Sequence, residues 1–163
     1  MPITYDRIAT TTLGTAGTSI TFSSIAATWT DIRIIFNCNV ATFIVPNIVF
    51  NSDTSALYSY TSLMGNGSAA SSDRGTNNNN LNLSTNGVDP GPSLYTIDIF
   101  SYAGSTFKTC LTTENADKNG SGWVARYVNM YRSTSAITSI ELRSGGSNFA
   151  VGTSATLYGI LRA

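Results

Sequence analysis

Apolar and polar residues alternate along most of this chain with a period of two, the spacing of strands that bury one face. The first such run is Tyr5–Leu13, and a turn at Gly14 to Gly17 leads to Thr18–Phe22, with Thr18, Ile20 and Phe22 on one side. In Trp29–Asn37 the residues Ile32, Ile34 and Phe36 alternate with Arg33 and Ile35. That strand is partly apolar on both faces, which predicts a central position. Phe43–Phe50 is a further apolar run, and Pro46 within it predicts an edge or a bulge. Tyr58–Met64, Leu94–Tyr102, Phe107–Thr113, Trp123–Arg132, Ala136–Arg143 and Ala155–Arg162 complete the series.

Residues 65–92 break the pattern. The tract is polar and rich in Gly and Asn, with Asn77–Asn80 and Asp89-Pro90-Gly91-Pro92 inside it. It reads as a long loop crossed at most by one short strand at Leu81–Ser84, and loops of that length are usually functional or mobile. Phe107–Thr113 and Trp123–Arg132 flank Asp117-Lys118-Asn119-Gly120-Ser121-Gly122, a pattern that reads as a hairpin closed by a Gly-rich loop of moderate length. No amphipathic helix of convincing length is present. About ten short strands with turn signals every 8–12 residues predict an all-β, jelly-roll-like antiparallel β-sandwich forming a single domain over residues 1–163.

Composition narrows the function. Apolar residues make up 42% of the chain, enough for one core, and charged residues only 11%. Nine basic and nine acidic side chains cancel. A neutral chain lacks the electrostatic footprint of general nucleic-acid binding, and it lacks the self-repulsion that keeps monomers apart, which favours assembly. No signal peptide and no membrane span are visible, so neither nucleic acid nor membrane is expected as a partner. Cys38 and Cys110 both fall in strand-like runs and are expected as buried free thiols, with a single disulfide as the alternative.

There is no histidine, so relays that pass a proton through imidazole are excluded. Two cysteines and no histidine do not make a zinc site. The Asp117-Lys118-Asn119-Gly120-Ser121-Gly122 segment has part of the look of a calcium loop, but Val128 stands where a closing Glu would fall. A catalytic carboxylate pair is left as the enzymatic alternative, with the nine acids scattered over strand ends and loops. The expectation is therefore a protein that is not an enzyme and holds no cofactor or metal.

The aromatic residues Trp29, Trp123, Tyr127 and Tyr131 suit either core packing or a contact platform. In Trp123–Arg132, one face carries Trp123, Ala125, Tyr127, Asn129 and Tyr131, and the other Val124, Arg126, Val128, Met130 and Arg132. Neither face is wholly polar, so if one is core the other meets a second chain or a flanking loop. Arg126 and Arg132 are either contacts across that seam or solvated strand residues.

The order of short segments resembles a known group. Tyr5-Asp6-Arg7-Ile8-Ala9-Thr10-Thr11-Thr12-Leu13-Gly14 runs into Ser19-Ile20-Thr21-Phe22-Ser23-Ser24-Ile25, and the chain finishes on Ala155-Thr156-Leu157-Tyr158-Gly159-Ile160. Between these lie Leu63-Met64-Gly65-Asn66-Gly67-Ser68, Ser72-Asp73-Arg74-Gly75-Thr76 and Tyr131-Arg132-Ser133-Thr134-Ser135-Ala136-Ile137. This arrangement resembles small β-rich virion proteins of tailed phages, particularly cyanophages. The resemblance implies a non-enzymatic capsid decoration, or cement, protein. It would be a homotrimer on the outer capsid surface that binds the phage major capsid protein after assembly in the host cytoplasm. A tail or fibre component binding host-surface glycan is the alternative. The interface residues expected, from their exposure to solvent in a sandwich, are Pro2, Ile3, Tyr5, Trp123, Arg126 and Arg132, with the 65–92 tract beside them.

Overall fold

The structure, a computed structural model, describes residues 5–161. Among them there is no helix, and twelve strands form two antiparallel sheets of eight and four strands. In chain order they are β1 Tyr5–Thr12, β2 Ser19–Phe22, β3 Asp31–Val40, β4 Asn47–Phe50, β5 Tyr58–Gly65 and β6 Ala70–Asn78. Then follow β7 Leu81–Asn82, β8 Gly91–Ile99, β9 Lys108–Asp117, β10 Gly122–Tyr131, β11 Ile140–Arg143 and β12 Ser154–Ile160. The wide sheet runs β1-β12-β3-β8-β9-β10-β5-β6 and the narrow one β2-β11-β4-β7. The chain is thus an all-β sandwich in one domain.

The core lies between the sheets, where the period-two pattern puts it. Ile32, Ile34, Phe36 and Cys38 of β3, Tyr95, Ile97 and Ile99 of β8 and Leu157 of β12 face Ile20, Ile48, Phe50, Ile140 and Leu142 from the narrow sheet. β3 is central, paired to β12 on one side and β8 on the other. Aromatic rings fix the packing: Phe36 stacks on Tyr95 at 5.6 Å and meets Phe149 edge-on at 5.5 Å, and Tyr58 stacks on Tyr131 at 4.7 Å. Pro46 lies just before β4, its carbonyl taken by the Leu83 N–H.

The 65–92 tract is the main departure from the sequence pattern. It is a strand hairpin followed by a strap, rather than one long loop. β5 and β6 pair from Tyr58 to Asn78 around a turn in which the Asn66 side chain accepts from the N–H groups of Ser68 and Ala69. β6 is an edge strand, and nearly all of its residues are solvated. It therefore carries no apolar alternation and reads as a loop. Residues 79–90 then cross the inner side of the wide sheet through β7, where Leu81, Leu83 and Val88 are buried.

Candidate functional site

The wide sheet has eight strands and the narrow one four, and the outer side of the wide sheet is exposed to solvent. Alternation on β10 sends Ala125, Tyr127, Asn129 and Tyr131 inward and Val124, Arg126, Val128 and Met130 outward. The register assembles a surface from these outward residues. Leu63 on β5 stands opposite Arg126, Val128 lies between Thr61 and Leu111, and Val124 is opposite Asn115, which in turn is opposite Leu94 of β8.

Leu63 and Val124 are each 61% exposed, Val128 51%, Leu94 44% and Met130 40%. Together they leave about 400 Å² of apolar surface in one patch, inside the range of the largest, often functional, patch on a monomer. Strand spacings make the outer side of β8, β9, β10, β5 and β6 about 24 Å by 30 Å, or roughly 700 Å². One partner in a standard protein interface contributes about 800 Å².

The register puts Arg7, Arg33, Arg74, Asp98, Asp117 and Arg126 on this side, and among the described residues one ion pair joins two of them. Arg33 of β3 and Asp98 of β8 form a two-pronged pair, with Nε to Oδ1 at 2.5 Å and Nη2 to Oδ2 at 2.9 Å. The pair pushes the guanidinium further up from its usual range. Tyr5 lies at the far edge of the same face, 41% exposed. Its ring is 4.8 Å from that of Tyr158 and 5.9 Å from the Arg33 guanidinium carbon. Arg126 stands among Leu63, Val124 and Val128 with no hydrogen bond or ion pair to any described residue.

The remaining expected interface residues part company. Trp123 lies on the inner side at the end of β10, half-buried, with the Lys118 ammonium 5.5 Å from its ring centre. It lines an open cleft of about 400 Å³ between the β5–β6 and β9–β10 turns, together with Asn66, Asn115 and Asp117. Arg132 is engaged within the fold, donating to the Ala56 carbonyl at 2.6 Å, the Asn77 side chain at 2.7 Å and the Leu57 carbonyl at 3.4 Å. Tyr127 and Tyr131 are buried, and Trp29 packs its ring over Gly159, so none of the three is a platform. Pro2 and Ile3 lie outside the described residues.

A second group of polar residues is hidden under the strap. Glu114 of β9 is wholly buried. Its Oε1 accepts from the Tyr95 hydroxyl at 2.9 Å and its Oε2 from the Tyr127 hydroxyl at 3.1 Å. The Tyr127 oxygen in turn accepts the Thr85 N–H at 3.1 Å, which ties the strap to the sheet. Burial pushes the Glu114 carboxyl above its ordinary value, against hydrogen-bond donors that favour its charged form. The two tyrosines are themselves raised, Tyr127 to about 12, by burial first and then by the charge of Glu114. No second acid faces Glu114, and the group has no opening to solvent; its geometry serves anchoring. Lys108 is likewise buried, with its ammonium on the carbonyls of Gly104 at 2.6 Å and Thr106 at 2.5 Å, and burial lowers its pKa. Among the described residues no group of three or more His, Cys, Asp or Glu converges to hold a metal ion.

Sequence reasoning set out both faces of β10 but left open which one is solvated. Leu63 and Leu94 were missed altogether. Each sits alone on its own strand, and only the pairing register brings them beside Val124 and Val128. No protein-family model matches the chain, and no curated protein or solved structure matches it either.

Proposed function

We propose that the chain is a structural protein of a phage virion, a capsid decoration protein that docks the outer face of its wide sheet on the major capsid lattice. The single observation that carries this reading is the exposed apolar patch of Leu63, Leu94, Val124, Val128 and Met130 on the outer face of the wide sheet. Such a face suits a contact repeated in many copies, each of modest area, in which binding to the mature shell alone stabilises it by mass action. The order of short sequence segments that resembles cyanophage virion proteins supports the same reading. Homotrimeric association and a place on the outside of the head belong to the proposal.

The strand order supports a jelly roll as the finer description of the fold. Setting aside the β5–β6 and β9–β10 hairpins leaves β1-β12-β3-β8 facing β2-β11-β4-β7. Numbered afresh, these sheets run 1-8-3-6 and 2-7-4-5, the double Greek key shared by many capsid and lectin domains. The two hairpins then widen one sheet, and they build the exposed patch. Fold alone does not choose between shell and lectin roles.

One observation favours the second reading, a tail or fibre component that binds glycan. The open cleft between the β5–β6 and β9–β10 turns is lined by Trp123 together with Asn66, Asn115 and Asp117, residue types that suit sugar rings. Imaging virions with this chain labelled separates the two. Label over the whole head supports the decoration role, and label confined to the tail overturns it in favour of the glycan reading.

A further inference from the structure

We infer that the chain associates with further copies of itself through one end of the sandwich, where the Phe43 ring of one copy seats in an apolar cleft beside Val151 of the next. The inference rests on the docking role proposed above, which gives the wide sheet's outer face to the capsid lattice, and it names a different surface for self-association. Three connections build that end: residues 13–18 between β1 and β2, 41–46 between β3 and β4, and 144–153 between β11 and β12. Backbone bonds hold them side by side. Gly17 and Phe149 each donate to the other's carbonyl, at 3.2 and 2.8 Å, and the Ala150 N–H reaches the Asn39 carbonyl at 2.8 Å. Ile44 and Val88 bond in both directions, at 3.1 and 2.7 Å, which sets the strap beside the 41–46 connection. None of the residues in the three connections is Asp, Glu, Lys or Arg.

This uncharged end shows apolar side chains to water. Val151 is 57% exposed, Phe43 54% and Val45 37%, with Ala16 and Ala41 exposed beside them. Together they leave roughly 300 Å² of apolar surface, a second patch of the size that is often functional on a monomer. The Phe43 ring lies against Gly87, where a Cβ would come within 2.2 Å of it, so the ring is held in place while more than half of the residue stays in water. Between the three connections opens a cleft of about 700 Å³ whose apolar lining is Ala16, Ala41, Phe149, Ala150 and Val151, and Phe43 is not part of that lining. One end thus carries an aromatic ring and, separate from it, an apolar hollow. A ring given to one neighbour and a hollow filled by another make a head-to-tail contact, which repeats until the copies close. The occupant must itself be uncharged where it meets these connections, because a charge buried there finds no partner. The same end of another copy meets that condition. The charged groups at its border are Asp89 and Asp117, both exposed at the rim, Lys118, which donates to the Asp89 and Pro90 carbonyls, and Arg143, which is paired with Glu141. An anionic lipid surface would call for a basic fringe, and this border is as acidic as it is basic.

The test is the mass in solution of the full-length chain, by size exclusion with light scattering, for the wild type, Phe43→Glu, Val151→Glu and an equal mixture of the two variants. Both side chains are more than half exposed, so the variants should keep the wild-type circular dichroism. The wild type is expected as an oligomer and each variant alone as a single chain. The mixture is expected to regain a dimer and nothing larger, because the Val151→Glu copy still offers its ring and the Phe43→Glu copy still offers its cleft. A wild type that stays a single chain, variants that keep the wild-type mass, or a mixture that stays monomeric overturns the inference. So does a Leu63→Glu/Val128→Glu variant that falls to a single chain, since the self-contact would then lie on the sheet face. A wild type that stays a single chain and floats with phosphatidylcholine vesicles assigns this end to lipid and likewise overturns it. Phage heads left bare by a wild type that shows the expected masses overturn the docking role and leave the self-contact standing.

Discussion

Replacing Glu114 with leucine is the most informative perturbation of the interior. The Tyr95 and Tyr127 hydroxyls, 2.9 Å and 3.1 Å from the two carboxylate oxygens, belong to side chains with no solvent exposure. Leucine leaves both hydroxyl protons without an acceptor, at about 1–3 kcal/mol each. Removing a buried carboxylate gives some of that back, because its own desolvation cost disappears. The net loss is about 2–4 kcal/mol, which for a domain of this size lowers the melting temperature by on the order of 10 °C. Glutamine is the control. Its oxygen accepts from one tyrosine while the other hydroxyl proton loses its acceptor, so Glu114→Gln falls between wild type and Glu114→Leu, at about 1–2 kcal/mol. Urea unfolding followed by tryptophan fluorescence reads both, since Trp123 lies beside the cluster. A Glu114→Leu protein as stable as wild type, or a Glu114→Gln protein as weak as Glu114→Leu, would refute the anchoring role.

Three further outcomes follow from the same interior. Glu114 holds its proton in the folded state at pH values where the unfolded chain has released it. Its contribution is therefore complete below the unfolded carboxylate range and is lost as pH rises through the raised folded value. Urea midpoints measured from about pH 4 to pH 9 should show this decline in the wild type and a smaller one in Glu114→Gln. Asn51, at a φ of 52°, donates to the Ala136 carbonyl and accepts from the N–H groups of Thr138 and Ser139. Asn51→Ala should cost about 2–3 kcal/mol by calorimetry, and Asn51→Gly, which relieves the backbone but not the lost bonds, should recover only a fraction. Cys38 and Cys110 are free and buried, and burial pushes Cys38 up to about 12 and Cys110 higher still. A thiol reagent should leave both untouched in the native protein and label both in urea.

Most strands were legible because one face of each is apolar. β3 announced its central place through Ile32, Ile34 and Phe36 flanked by Ile35, and it pairs on both edges. β6 was not legible. Its residues Ala70–Asn78 are solvated on both sides, so the hydrogen bonds to β5 hold it and no hydrophobic period marks it. The Glu114 cluster was hidden for the opposite reason. Thr112 and Glu114 are polar residues at inward positions of β9, and they break the alternation that would flag that face as core. Their burial depends on Tyr95 and Tyr127 lying across the ladder, which only the register reveals. The apolar outer patch has the same character. Val124, Arg126 and Val128 were visible together on one strand, but the patch needs Leu63 from β5 and Leu94 from β8. Arg132 shows the limit of strand phase as a guide: it lies one residue past β10, and loop carbonyls engage it from within the fold.

The most direct test of the docking role is head occupancy by the Leu63→Glu/Val128→Glu double variant. Both side chains point to solvent and are more than half exposed, so the variant should fold with little change in melting temperature. Like charges introduced into the patch must be buried on docking, and the account predicts heads left essentially bare at concentrations where the wild type saturates them. Heads saturated by the folded double variant as readily as by the wild type would contradict it.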